Sequence, residues 1–163
     1  MSQCCAVPTK SGETSAVCNV CGHKGKPVLK MTPEHLLFEQ QASQLSDVQY
    51  HFCMTQDCDV VYFSNASGQY FRKQDVRVRV GSKESDDPIP VCYCFNFTQA
   101  KIFDEIRTTG HSTAAAEITQ KVKAGKCQCE IKNPSGRCCL GEVNRTVKQG
   151  IELFAREVAT VEP

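Results

Sequence analysis

The sequence predicts an α+β fold: a small β-hairpin domain stapled through its cysteines, then a small helical domain built round a second cysteine set. Three observations predict it. Twelve of the 163 residues are cysteine, and most fall in close pairs. Aromatic and β-branched runs gather at 49–63 and 76–80, the mark of strands. Apolar positions recur every three or four residues after Thr98, the mark of helices.

Composition says what kind of staple to expect. With no Trp and few large aromatics, neither half has much core, and domains this small usually need a metal or disulfides. Met1-Ser2-Gln3-Cys4-Cys5 lacks the charged-then-apolar order of a secretion signal, and no apolar run approaches a membrane span. The expected location is therefore the cytoplasm, where clustered thiols serve as metal ligands more often than as disulfides. A net charge of +1 and a pI near 7.5 give no basic face for nucleic acid. There is no internal repeat, because the two cysteine-rich halves have different spacings.

Residues 1–16 are rich in Ser, Thr, Gly and Lys and read as a disordered tail. Within it, Cys4-Cys5 is either a pair of free surface thiols or a vicinal dithiol suited to a soft cation such as Cu(I). Cys18-Asn19-Val20-Cys21-Gly22 is a knuckle, with two thiolates flanking two residues and a glycine that lets the backbone turn. Cys53 and Cys58, with four residues between them, supply a second pair. Four sulfurs at these spacings suit a closed structural zinc, with His23 and His51 as alternative ligands nearby.

Between the pairs, Thr32-Pro33-Glu34 reads as a helix start, with Thr32 as cap, Pro33 at the first helical position and Glu34 at the positive end. The helix is expected to run to about Ser46, with Leu36, Leu37 and Leu45 inward. Gln49 to Cys53 and Val60 to Phe63 then form a hairpin with the Cys53–Cys58 pair at its turn, and Asn65-Ala66-Ser67-Gly68 is a further turn. Val76, Val78 and Val80 alternate with Arg77 and Arg79, as in a half-buried strand with a solvated basic face. Ser82 to Pro90 is charged, ends in two prolines and has the composition of a linker. The expected domains are thus 17–87 and 88–163.

In the second, Cys92-Tyr93-Cys94 comes first. Thr98 caps a helix running to about Thr108, with Ile102, Phe103 and Ile106 on one face and Gly110 as its stop. Ser112 or Thr113 caps another, with Ala116, Ile118 and Val122 apolar and Gly125 at its end. Cys127, Cys129, Cys138 and Cys139 follow, the last two closing Asn133-Pro134-Ser135-Gly136-Arg137. Thiolates in pairs bridged by helical segments make a metal or iron–sulfur site. Val143, Val147, Ile151, Phe154 and Val158 form a closing helical stripe that serves as core or as a dimer face.

Val91-Cys92-Tyr93-Cys94, two helices and a late cysteine cluster resemble the [2Fe–2S] domains of the bacterioferritin-associated-ferredoxin type. With Cys18-Asn19-Val20-Cys21 and Cys53 to Phe63 included, the stretch from Val17 to Leu140 resembles the N-terminal half of archaeal-type CopZ copper chaperones. The resemblance implies a small zinc-stabilised β-hairpin domain followed by a small helical [2Fe–2S] domain. It implies zinc ligands at Cys18, Cys21, Cys53 and Cys58, and cluster ligands at Cys92, Cys94, Cys129 and Cys139. Cys127 and Cys138 compete locally for the latter. Full-length members add a heavy-metal domain with a Met-x-Cys-x-x-Cys loop, and no such loop occurs in this sequence. That copper-delivery route is therefore not inherited.

The expected function is an iron–sulfur and zinc redox protein of copper handling, reducing Cu(II) to Cu(I) or passing electrons. Its partners would be the soft-metal ion itself, with Cu+ held by spare thiols, and a protein that exchanges electrons or metal. The alternative is a ferredoxin-like electron-transfer module docking to a reductase or an iron-storage protein without copper. No nucleophile, base and acid fall together by spacing, and His111 stands apart, so an enzyme is not expected. Nothing in the sequence sets an oligomeric state.

Overall fold

A computed structural model describes residues 16–161, with side chains up to residue 157. The tail reading and Cys4-Cys5 fall outside the described residues, except that Ala16 is buried and its carbonyl accepts from the Gly25 amide. No helix is long and apolar enough to cross a membrane among the described residues.

The first half is a four-stranded antiparallel sheet in sequence order: β1 (Lys26–Val28), β2 (Tyr50–Phe52), β3 (Val60–Phe63) and β4 (Tyr70–Arg72). The hairpin read from the aromatics is β2–β3, with Phe52 opposite Tyr62, and it is flanked by one more strand on each side. All four residues of β3 are buried. An unbroken apolar run such as Val-Val-Tyr-Phe fits a strand covered on both faces. Val61 and Tyr62 pack with Leu36, Leu37, Tyr50 and Phe52, while Val60 and Phe63 pack with Cys18, Cys53 and Cys58. One strand is thus the wall between the apolar core and the first cysteine set.

The expected long helix is two short ones, α1 (Met31–Leu36) and α2 (Glu39–Ala42), separated by extended backbone at Leu37 and Phe38. The reason is tertiary. Leu37 bridges Val76, the Phe38 amide donates to the Asp75 carbonyl, and the Arg77 amide donates to the Leu36 carbonyl. Those long-range bonds replace the next helical turn. They also occupy the backbone that would have made 76–80 a strand. The valine alternation survives without it: Val76 and Val80 are buried, Val78 is half-buried, and Arg77 and Arg79 are exposed. Thr32 does not cap α1, since the residue before the helix is Lys30, which makes no side-chain capping bond.

The segment read as a linker from Ser82 is tied down at its start. Gly81–Lys83 is a 3-10 turn, and the Lys83 side chain is buried. Its Nζ donates to the carbonyls of Thr55 (2.6 Å) and Cys58 (3.0 Å). A buried ammonium needs such partners.

The second half opens with a two-stranded ribbon, β5 (Pro90–Cys92) and β6 (Phe97–Thr98), followed by α3 (Gln99–Thr109), α4 (Ala114–Lys123), α5 (Cys129–Lys132) and α6 (Leu140–Val161). Thr98 caps α3 as expected, its hydroxyl accepting from the Lys101 amide, and Gly110 ends the helix at φ 84°. Ile102, Ile106, Ala114, Ile118 and Val143 form the core with Cys92, Cys129 and Cys139. On α4 the inward alanine is Ala114; Ala116 faces out. On α6 Val143, Val147 and Phe154 pack inward, but Ile151 is 44% exposed, because Gly150 takes the place against α3. A Cβ on Gly150 would lie 2.7 Å from Ile106 Cδ1. The Val158 side chain lies outside the described residues.

The start of α4 is capped from α3. The Glu105 carboxylate accepts from the Thr113 amide (2.9 Å) and hydroxyl (2.7 Å) and from the Ser112 hydroxyl (2.8 Å). These bonds, the Thr113 amide first, hold the Glu105 carboxyl below its usual range. A depressed carboxyl contributes stability above its unfolded pKa and loses it as pH falls through the folded value. Glu105→Ala is expected to cost about 1 kcal/mol at pH 7, the usual worth of a helix cap. In paired thermal melts, the gap to wild type should narrow as the medium is acidified.

Candidate metal centres

The first centre joins the N-terminal knuckle to the β2–β3 turn. The knuckle closes through bonds from the Cys18 amide to the His23 carbonyl and from the Gly22 amide to the Cys18 carbonyl, with Gly22 at φ 73°. Asn65, read from the sequence only as a turn residue, holds it from the far side. Its amide oxygen accepts from the Val17 amide at 3.0 Å, and its NH2 donates to the Val17 carbonyl at 2.9 Å. Cys18, Cys21, Cys53 and Cys58 come together with all four Sγ within 4.8 Å of one another. Cys18 and Cys58 are 3.8 Å apart, and Cys21 and Cys53 are 3.7 Å apart. A tetrahedral ion with metal–sulfur bonds of about 2.3 Å needs sulfur–sulfur edges of about 3.8 Å. The donor set and its spacing therefore fit zinc.

The thiols are not equivalent. Burial works against ionising Cys21, but the Thr55 hydroxyl at 3.2 Å and the His23 backbone and side chain outweigh it, bringing its pKa to about 5. Burial and the neighbouring sulfurs push Cys58 up to about 12. A bound dication would remove both protons, since thiolate is the ligand form. Neither histidine belongs to the quartet. His51 stacks on Phe63 at 5.7 Å, and His23 acts on Cys21 by hydrogen bonding.

The second set draws on four places. Cys92 ends β5, Cys94 lies in the turn before β6, Cys129 opens α5, and Cys139 precedes α6. The structure brings them together as two close pairs, Cys94 with Cys129 at 3.5 Å and Cys92 with Cys139 at 2.9 Å. Amides face the sulfurs: Gln128 N–H donates to Cys94 Sγ at 3.2 Å, and those of Phe95 and Cys94 act on Cys92. The Cys129 and Cys92 sulfurs, then burial, push the Cys139 thiol far up. Among the described residues, the first quartet is the one group of ligand atoms compact enough for a single ion.

Of the two competitors, Cys127 is buried and disulfide-bonded. Cys138 is a free, half-buried thiol that lines a cavity of about 210 Å³ with Cys139, Arg137 and Met54. The Asn133-Pro134-Ser135-Gly136 stretch is a tight turn, in which Asn133 Oδ1 accepts from the Ser135 amide and its NH2 donates to the Arg137 carbonyl. This side-chain mimic of a backbone turn is what asparagine supplies. Arg137 Nε is buried and makes no hydrogen bond.

Comparison with known proteins bears on both halves. Residues 15–77 match a family model described as the zinc binding domain of CopZ. The copper chaperone CopZ of Archaeoglobus fulgidus is 36% identical over 129 residues, which is 78% of this chain and 60% of that protein. The X-ray structure of the N-terminal domain of the same CopZ superposes with a TM-score of 0.68 at 35% identity, covering 80% of this chain and 96% of that domain. The chain belongs to the CopZ family.

It spans 60% of the length of the full chaperone it matches. The CopZ match gives this chain a zinc-binding domain and accounts for its mixed helix-and-sheet fold. No motif in the sequence marks Thr32, Tyr62, Lys83 or Asn65 as a support of the cysteine sets. Their only signal was chemical oddity, such as a tyrosine in a core strand and a lysine in a tight turn.

Proposed function

We propose that this CopZ-family chain is a metal-handling module of copper homeostasis. In this reading Cys18, Cys21, Cys53 and Cys58 hold a structural zinc, and Cys92, Cys94, Cys129 and Cys139 hold a [2Fe–2S] cluster. The observation that carries it is the second quartet: four thiols in two close pairs, met by backbone N–H groups. Two irons sharing bridging sulfides call for two such pairs. A cluster bound there supplies a one-electron centre.

The chain's own residues then do three things. Cys92 and Cys139, almost wholly buried, keep the site dry. The amides of Gln128, Phe95 and Cys94 stabilise negative charge on sulfur, which raises a reduction potential. Arg137, with a spare Nε–H beside Cys138 and Cys139, adds positive charge there. Copper is the cargo. Cu(II) that accepts one electron becomes Cu(I), a sulfur-seeking ion, and a redox partner protein replaces the electron. Cys138 is the free thiol outside both quartets among the described residues. It is the candidate to receive Cu(I) and pass it to a metal-transfer partner. The chain acts as a carrier, not an enzyme.

Anaerobically purified protein tests this. It should contain about one zinc and about two iron and two sulfide per chain, with visible bands that bleach on dithionite. A colourless protein that refuses reconstitution with iron and sulfide would overturn the cluster reading. With both centres filled, stoichiometric Cu(I) binding that Cys138→Ser weakens is expected. Unchanged binding in that variant removes Cys138 from the route.

A further inference from the structure

Both polypeptide stretches that carry the second quartet are held by side chains and backbone of the first half. The stretch from Cys129 to Cys139 is held at two carbonyls. Tyr62, on β3 and wholly buried, donates its hydroxyl to the Pro134 carbonyl at 2.5 Å. Thr32, on α1 and 1% exposed, donates to the Glu130 carbonyl at 2.6 Å. Thr32 also fills the space beside Gly136, where an added Cβ would lie 2.9 Å from its Oγ1. Thus the hydroxyl that the sequence offers as a helix cap is spent on the chain segment carrying two members of the second quartet, Cys129 and Cys139.

The second stretch, Cys92 to Cys94, is held through Tyr93. Its hydroxyl donates to the Arg79 carbonyl at 2.6 Å and accepts from the Gly81 amide at 2.9 Å. Gly81 and Lys83 share one 3-10 turn, and Lys83 bonds the carbonyls of Thr55 and Cys58. The first centre therefore reaches the second by two routes. One runs across β3, whose Val60 and Phe63 touch the first quartet while Tyr62 holds Pro134. The other runs from the Cys58 loop through Lys83 and Gly81 to Tyr93.

We propose that Thr32 and Tyr62 are positioning residues for the second centre, and that metal occupancy of the first centre governs the second through them. Neither residue approaches a sulfur of the second set by any hydrogen bond; each acts on the backbone that aims Cys129 and Cys139. Loss of metal from the first quartet loosens β3, releases the Pro134 and Glu130 carbonyls, and lets that pair of cysteines drift from Cys92 and Cys94. By linkage, filling the second centre tightens metal binding at the first by the same factor. The inference rests on the two-centre reading above, and its test is arranged to separate the two.

The test uses the full chain with Tyr62→Phe, Thr32→Val and Thr32→Ser. In zinc-loaded, iron-free protein, alkylation of Cys92, Cys94, Cys129 and Cys139 is followed by peptide mass mapping. Tyr62→Phe and Thr32→Val should retain zinc yet react measurably faster than wild type at Cys129 and Cys139, whose backbone has lost a support. Thr32→Ser, which keeps the hydroxyl, should react as wild type does. In cluster-loaded protein the same two variants should shift the midpoint potential and the visible circular dichroism, and Thr32→Ser should not. Wild-type alkylation rates and an unmoved potential in Tyr62→Phe and Thr32→Val would overturn the proposal. If either variant fails to fold, wild-type protein stripped of zinc by a chelator decides: faster alkylation of the four thiols supports coupling, and unchanged rates overturn it. Wild-type protein that never takes up iron defeats the cluster reading alone, and the alkylation arm still judges the positioning.

Discussion

Cys58→Ser is expected to leave the protein without zinc and with the first half unfolded. A structural zinc contributes an apparent 10 kcal/mol or more, by order of magnitude, to the fold that holds it. A whole small domain has a net stability of only about 5–15 kcal/mol. The first half has no tryptophan, and one of its buried clusters is made of Ala16, Cys18, Cys53, Cys58, Val60 and Phe63, so the quartet is itself core. Serine at 58 removes one of four ligands. It also leaves a polar group where the native thiol is buried, beside a carbonyl that Lys83 uses. Zinc analysis with a circular dichroism melt checks this. One zinc per chain and an unchanged melting temperature in the variant would sink it.

Gly81→Ala should cost about 3 kcal/mol, the upper range for forcing an atom into filled space. An added Cβ would sit 2.0 Å from the Pro90 carbonyl oxygen. That atom is backbone, so relief requires moving either the 3-10 turn or β5. Moving the turn breaks the Gly81 bond to Tyr93 and disturbs Lys83; moving β5 shifts Cys92. Gly141→Ala is the control, since a Cβ there meets nothing within 4 Å, in a helix where alanine is preferred. Urea melts of the two variants should differ by most of that amount. Similar midpoints would show that the close approach between residues 81 and 90 is not a constraint.

Much of this was legible in the sequence because its cause was local. Gly110 ends α3 and Thr98 starts it through bonds within a few residues. The β2–β3 hairpin followed from aromatic and β-branched residues on either side of a paired-cysteine turn. The CxxC and CxxxxC spacings singled out Cys18, Cys21, Cys53 and Cys58, whose sulfurs lie close together; in the second half spacing left Cys127 and Cys138 open, and only the CopZ resemblance chose among the late cysteines. What could not be read depended on distant partners. The helix breaks after Leu36 because Val76 and Arg77, some forty residues on, take its backbone bonds. Thr32 looks like a cap until Glu130 is placed beside it, 98 residues away in the chain. Lys83 stands in a charged stretch that composition marks as solvated, yet two carbonyls and the Phe52 ring enclose it. A motif records the ligands of a site more faithfully than the residues that aim them.

The buried hydroxyls of Thr32 and Tyr62 bear on how such chains can be cut and recombined. A boundary at Asp87 suggests two interchangeable beads on a string. A fragment beginning at Pro88 would keep all four cysteines of the second quartet, yet lose the donors for its Glu130 and Pro134 carbonyls and both partners of Tyr93. Grafting the helical half onto a different metal-binding partner therefore requires that partner to offer two hydroxyls and a carbonyl–amide pair in matching places. Exchange of such halves between relatives is limited by the seam between them, not by the ligands either one brings.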